Sequence, residues 1–325
     1  MGLLSKLTGA GRERALRWSV VVASPKGEAG DQWGDTWFAR DLVDALQRQG
    51  QEASVVFRGG ATSAKRAEDD VVLALRGLRR VDPRDVPKTP NSPGPVWMQW
   101  VISHPELVGA DEPATFDANF AASNSWSRAA SGEFGVPITP LLQATNPRRF
   151  NPDAAAPDTG FDVLFVGSTR GEFRPVVRDA LASGVNLSVF GVGWSGLIPE
   201  EVICGEFLPN PELPAAYASA GVVLNDHWPD MATEGFLSNR LFDAVASGAR
   251  VLSDEAAGLS EVFGDAVVTY ANVADLAKIL NSDRDEVFPD RAHRLIAAAR
   301  VARENSFDAR AEVLINRALE LRNSR

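Results

Sequence analysis

Apolar residues in this chain come in short unbroken runs, separated by stretches in which they recur every third or fourth place. WSVVVA (18–23) is the first such run, and its continuous apolar character is that of a parallel strand buried on both faces. A Gly-rich loop follows, SPKGEAGDQWGD, and then TWFARDLVDALQRQG, where Phe38, Leu42, Val43 and Leu46 recur at helical spacing and Gly50 closes the helix. ASVVFR, VVLAL (71–75) and VWMQWVI (96–102) are further strands, with two shorter ones around Phe116–Ala121 and Ile138–Gln143. Strand alternating with helix at this pitch predicts a doubly wound parallel sheet.

The segment Asn146 to Asp158 is rich in Pro, Ala and Asp, lacks periodicity, and is expected to link two domains. The pattern then restarts with strand FDVLFVG (161–167), helix RPVVRDALASG and strand NLSVFG (186–191). Strand GVVLN (221–225), helix NRLFDAVASG (239–248) and strands ARVLSD and AVVTY come next, and helices at 273–281, 290–304 and 308–323 close the chain. The expected architecture is α/β: two Rossmann-like, doubly wound parallel-sheet domains, 1–150 and 151–307, facing a central cleft.

The 325 residues suffice for two ordinary domains, and 45% hydrophobic with 23% charged residues is a soluble globular composition. A net charge of −10 argues against a nucleic-acid partner, which would be met by a basic face. It leaves open a phosphate-bearing small ligand held by helix-end amides and one or two arginines. Cys204 is the only cysteine, so an intrachain disulfide and a cysteine-rich zinc site are both excluded, and a reducing, cytoplasmic setting fits. No apolar run approaches the roughly 20 residues that span a bilayer. MGLLSKLTGAGRERALRW reads as a short amphipathic helix with Lys6, Arg12, Arg14 and Arg17 on its polar side, packed on the body, with weak peripheral membrane contact as the lesser reading. GVGWSG (191–196) satisfies G-x-G-x-x-G after a strand, but the residues beyond it are broken by prolines where a dinucleotide fingerprint needs a helix.

The richest chemistry lies in LNDHWPDMATEGFLSNRLFDAVASGARVLSD, residues 224–254. Ligands of doubly wound sheets sit beyond the carboxyl ends of strands, against helix N-termini. Backbone amides of Phe236, Leu237, Ser238, Asn239 and Arg240, after Gly235, are therefore expected to face a pyrophosphate. Asp243, one turn into the helix, is badly placed for phosphate but well placed for two ribose hydroxyls, and Glu234 would reach the sugar beyond the pyrophosphate. Taken singly, Ser238 could be a plain helix cap and Asp243 a solvated acid; taken together they suggest a donor site.

EGFLSNRLFDAVASGARVLSD resembles the donor-binding signature of GT-B glycosyltransferases, most closely the spore-maturation CgeB-type group related to retaining family 4. WGDTWFARDLVDALQRQG, ISHPE, AASNSWSRAASGEFGVPITPLLQATNPRRF and FVGSTRGEFRP resemble other parts of the same group, so the likeness runs from about Trp18 to Ala309. It implies a nucleotide-sugar donor, a glycan or small-molecule acceptor, retained anomeric configuration, and no metal or other cofactor. It also implies that Arg170, in the loop carrying Gly167 and Ser168, meets the donor phosphates; the usual lysine partner has no obvious counterpart, Arg174 being the nearest cation and Arg240 a rival. Asp243 takes the place of the ribose glutamate, while Glu234 stands one residue too far upstream for the family spacing. His104 matches a histidine near the transferred sugar, or else caps a loop, and Gly34, Asp35 and Thr36 match a loop that approaches donor or acceptor across the cleft. Residues 308–325 would form a helix crossing back to the first domain.

Aromatic faces stack on sugars, so Trp33 or Trp228 could hold the acceptor, whereas Trp97 and Trp100 read as core. Two other functions remain open: a nucleotide-sugar epimerase, for which no acid/base set is evident, and a catalytically idle module that binds a glycan or protein.

Overall fold

The computed structural model describes residues 15–88, 93–156, 160–169 and 171–325. Most of the expected N-terminal amphipathic helix lies outside the described residues. Twelve strands form two six-stranded, fully parallel sheets. The first sheet runs β2-β1-β3-β4-β5-β6, from β1 (Arg17–Val21), β2 (Glu52–Val56), β3 (Val71–Arg76), β4 (Val96–Val101), β5 (Ala118–Ala121) and β6 (Ile138–Pro140). The second runs β12-β11-β10-β7-β8-β9, from β7 (Val163–Val166), β8 (Leu187–Phe190), β9 (Ile203–Gly205), β10 (Val222–Asn225), β11 (Val251–Asp254) and β12 (Val267–Tyr270). Strand order reverses between β1 and β3 in one sheet and between β7 and β10 in the other, and crevices open at such switch points.

Unbroken apolar strands are buried on both faces, as their sequences require: every residue of β3 and β4 is buried. Helices α1 (Glu28–Asp31), α2 (Gly34–Arg48) and α3 (Asn124–Phe134) flank the first sheet. The second sheet is flanked by α4 (Pro175–Ala182), α5 (Leu213–Ser219), α6 (Pro229–Glu234), α7 (Asn239–Ala246), α8 (Leu259–Phe263), α9 (Val273–Asn281), α10 (Arg284–Val287) and α11 (Arg291–Glu304). The alternating pattern located every strand but β9 and most of the longer helices, and missed α3 and the short helices α1, α5, α6, α8 and α10. The signals for α3 were there, since the Ser123 hydroxyl accepts from the Trp126 amide at 3.0 Å and Gly135 ends the helix in the left-handed region. Small residues on its buried face weakened the apolar period.

The last helix, α12 (Phe307–Asn323), leaves the second half and packs on α2 of the first. Phe307 meets Phe38 edge-on with ring centroids 4.8 Å apart, and Asp308 accepts from two nitrogens of the Arg48 guanidinium, Nε and Nη2, each at 2.9 Å. The chain thus crosses between halves twice, and the crossings run side by side. The Thr145 amide donates to Asn305 O at 2.9 Å, and the Phe307 amide donates to Thr145 O at 3.0 Å. Buried Arg310 ties both crossings by donating to the carbonyls of Leu142, Gln143 and Glu304. Leu314 is fully buried among Trp18, Leu42 and Leu46 in this core. Leu314→Ala is expected to lower unfolding free energy by about 2–5 kcal/mol in urea titrations; an unchanged midpoint would show that α12 adds nothing to the first half.

Candidate active site

A cavity of about 610 Å³ lies between the carboxyl edges of the two sheets. Its floor in the second half is the switch point between β7 and β10, where Arg240 spans the gap. One guanidinium nitrogen donates to Asn225 Oδ1 on β10 at 2.9 Å and another to Val166 O on β7 at 2.5 Å. Two guanidinium groups lie over the Phe165 ring, with the Arg240 carbon 5.1 Å and the Arg174 carbon 4.6 Å from its centroid. Gly167 makes that crowding feasible: an added Cβ would stand 2.7 Å from Arg174 Nη1 and 3.1 Å from Arg240 Nη2. Gly191 is equally forced, with φ at +152° and a Cβ position 2.2 Å from Gly167 O. The Trp194 indole donates to that same carbonyl at 2.8 Å and fixes the loop after β7.

Of the residues expected at a donor site, Gly34, Asp35, Gly167, Ser168, Ser238, Asn239, Arg240 and Asp243 line this cavity, as does Trp33. Arg170 lies outside the described residues. Arg174 is buried and committed elsewhere: it pairs with Asp226 and donates to Ser168 O at 3.1 Å, so it supports the loop from behind. The Gly235–Leu237 stretch also departs from the expected row of amides. Phe236 and Leu237 turn their side chains into the core, and the Phe236 amide already donates to Met231 O at 2.9 Å. The Ser238 amide donates at 3.0 Å to His227 Nε2, whose Nδ1–H donates to Asp254 at 2.7 Å. Burial opposes ionisation of Asp254, yet the His227 hydrogen bonds hold its carboxyl below the usual range.

Glu234, His104 and Trp228 do not line the cavity but meet where the two halves touch. The Glu234 carbonyl accepts from the hydroxyls of Ser123 and Ser125, and Met231 and Phe236 insert among Val101, Ala122 and Trp126 of the first half. Gly235, at φ +74°, has no room for a Cβ, which would lie 2.8 Å from Ser125 Oγ. The His104 and Trp228 rings lie 6.0 Å apart in this seam.

The sequence reading did not single out several residues that share the cavity. Arg149, from the presumed linker, donates to Asp41 at 2.8 Å, and Asn146 donates to the other Asp41 oxygen at 2.7 Å. Its guanidinium lies 5.3 Å from the Trp37 ring. Tyr217 stacks on Phe150 at 6.1 Å, and burial pushes its phenol up to about 12 against the pull of Arg240. A pair of arginines in a segment without periodicity was the available hint for Arg149.

Loss of solvation raises the carboxyls of Asp35, Asp41 and Asp243 above their ordinary range; the charge of His104 opposes this for Asp35, and Arg149 for Asp41. Asp243 is raised well above 3.8, although it accepts from Thr145 Oγ1 at 2.7 Å and Asn239 Nδ2 at 2.9 Å.

Residues 170–316 match the family described as glycosyl transferase-like. The chain has the GT-B fold, and the family match falls in its second half. Solved GT-B structures superpose over nearly the whole of it. AviGT4, a glycosyltransferase involved in avilamycin A biosynthesis, is 18% identical with a TM-score of 0.62, covering 95% of this chain and 99% of its own. Sucrose-phosphate synthase from Thermosynechococcus elongatus is 12% identical with a TM-score of 0.59, covering 95% and 100%. Anabaena HepE, solved with UDP-glucose, is 13% identical with a TM-score of 0.60, covering 93% and 99%. These likenesses show the fold. A search of curated protein sequences finds no match. No helix among the described residues is long and apolar enough to cross a membrane.

The carboxyls of this GT-B cleft set a pH dependence. Asp243 has a folded pKa above its unfolded value, so its contribution to stability is greatest below about 3.8 and is lost as pH rises through the raised value. Asp243→Asn removes the cost of ionisation, and Asn239, whose Oδ1 is buried without a hydrogen bond, can flip to accept from the new amide. The variant is expected to be more stable than the parent at pH 8, with a smaller difference at pH 5, in urea titrations at both values. A variant less stable at pH 8 would contradict the raised carboxyl.

Proposed function

We propose that this chain transfers a sugar from a nucleoside-diphosphate donor, bound by its second half, to a glycan or small-molecule acceptor entering along the first. The carrying observation is the placement of Arg240 astride the β7–β10 switch point, with Asp243 one turn further along α7 in the same cavity. Arg240 is the fixed cation for a diphosphate, and the half-buried turn at Ser238–Asn239 lends the positive end of the helix. Asp243 keeps acceptor capacity for a ribose hydroxyl beyond its bonds to Thr145 and Asn239. The HepE complex with UDP-glucose supports a nucleotide sugar as the donor class.

Departure of the nucleoside diphosphate builds negative charge on the β-phosphate and oxocarbenium character on the sugar. A preorganised guanidinium stabilises the first of these without reorganising at the moment of reaction. We assign transfer with retention and without a catalytic metal, Arg240 compensating the leaving group. Trp33 lies at the cavity wall with the Arg58 guanidinium 5.5 Å from its ring, a platform suited to an acceptor sugar. Asp35, the raised carboxyl on the acceptor side, tests the stereochemistry: an inverted product by NMR, lost in Asp35→Asn, would make it a general base and overturn retention.

A second reading, binding without transfer, is favoured by one observation: His104 and Glu234, the two residues matched to the sugar side, lie at the seam outside the cavity. Thermal shift against UDP, GDP, ADP, CMP and dTDP, followed by donor hydrolysis, separates the two. One diphosphate at a hundredfold over its Kd is expected to add about 2.7 kcal/mol, with or without magnesium. Arg240→Ala should abolish that shift and lower turnover about 100- to 1000-fold. A nucleotide that binds but is never hydrolysed or transferred would favour the binding module. No shift with any of the five would remove the donor site altogether.

A further inference from the structure

The seam between the halves carries a charge arrangement that sugar transfer does not require. Asp230, on α6 of the second half, faces Glu106 and His104 of the first, and one donor atom from each lies within 4.8 Å of the other two. His104 Nδ1 and Glu106 Oε1 are 2.9 Å apart. Asp230 Oδ2 is shut off from solvent and has no hydrogen-bond partner. Two carboxyl groups therefore meet with at most one positive charge among the three side chains, and Glu106 and Asp230 lie within hydrogen-bonding reach of each other.

The backbone adds an independent observation. His104 is the one non-glycine residue with positive φ among the described residues, at +55°. A residue with a Cβ is disfavoured in the left-handed region. Pro105 behind it and Trp228 beside it fix the ring, and the result aims the imidazole at the two acids. None of the three residues lines the cavity.

We infer that His104, Glu106 and Asp230 form a divalent-cation site that bridges the two halves. One imidazole and two carboxylates suit Zn²⁺ or Mn²⁺ better than Mg²⁺, which holds its waters more firmly. Ligand bonds of about 2.0–2.2 Å place two ligands at most about 4.4 Å apart, so a triangle with sides of up to 4.8 Å has to tighten slightly to close on an ion. Glu106 is exposed, which gives the ion a way in, and the remaining coordination positions are left to water. The ion would tie α6 to the turn Pro105–Leu107, across the contact that also seats Met231 and Phe236. This inference does not depend on the donor chemistry, because the site lies outside the cavity.

The test uses the full chain freed of metal by chelation, titrated by calorimetry with ZnCl₂, MnCl₂ and MgCl₂. One Zn²⁺ or Mn²⁺ per chain is expected at micromolar Kd, with Mg²⁺ at least tenfold weaker, and hydrogen exchange over 228–236 should slow on binding. Asp230→Asn and Glu106→Gln should each weaken Zn²⁺ and Mn²⁺ at least tenfold. In chelator both variants should melt no lower than the parent, since each removes one of two facing charges, and this shows that they fold. Absence of binding, or binding unchanged in Asp230→Asn, would overturn the inference. So would loss of binding in His293→Ala, which would put the ion at the exposed His293–Asp290 pair instead.

Discussion

Thr145 is the residue on which the geometry of the cleft depends. Its backbone pairs with Asn305 and Phe307, which joins the two crossings between the halves, and its hydroxyl donates to Asp243 inside the cavity. Its neighbours continue the arrangement, Asn146 and Arg149 both holding Asp41 on the opposite wall. One short irregular segment therefore fixes a carboxylate from each half while also setting how the halves meet. Buried Arg310 completes it from behind with bonds to three carbonyls, and burial lowers that guanidinium to about 10. A charged side chain tolerates such a position only because every nearby acceptor is aimed at it.

The fold was legible because its strands are buried on both faces and so appear as unbroken apolar runs, as in VVLAL and VWMQWVI. Short elements were less visible. β9 has three residues and α5 carries a proline in its first turn, so neither sustains a period long enough to read. At the site, Gly167, Arg240 and Asp243 were legible because a parallel sheet dictates where its strand ends and helix starts converge. Arg149 and Asp41 were not, since they meet through a segment with no periodicity and contact is then a matter of tertiary structure alone.

The largest departure concerns the loop from Asp226 to Leu237. It leads into the amides of Phe236 to Arg240, which were expected to face a ligand, but three side-chain interactions redirect it. Asp226 turns back onto Arg174, His227 bridges Asp254 and the Ser238 amide, and Met231 with Phe236 enters the core of the other half. The apolar pair was the available clue, because Met and Phe in an otherwise polar loop have to be covered by something. What covers them is the other half of the chain, so the loop acts as a contact between halves and the cavity lining begins only beyond it, at Ser238.

The pairing of the two crossings has a mechanical consequence. Two strands lying side by side resist stretch along their length and shear past one another, but they twist with little resistance. Twist is then the soft direction at the crossings, and the seam around Met231 and Phe236 is the second contact between the halves. Asp243 is bonded to the crossing through Thr145, whereas Trp33 and Asp35 are carried by the first half on the facing wall of the cavity. A ligand anchored near Asp243 would keep its position while the opposite wall swung towards it.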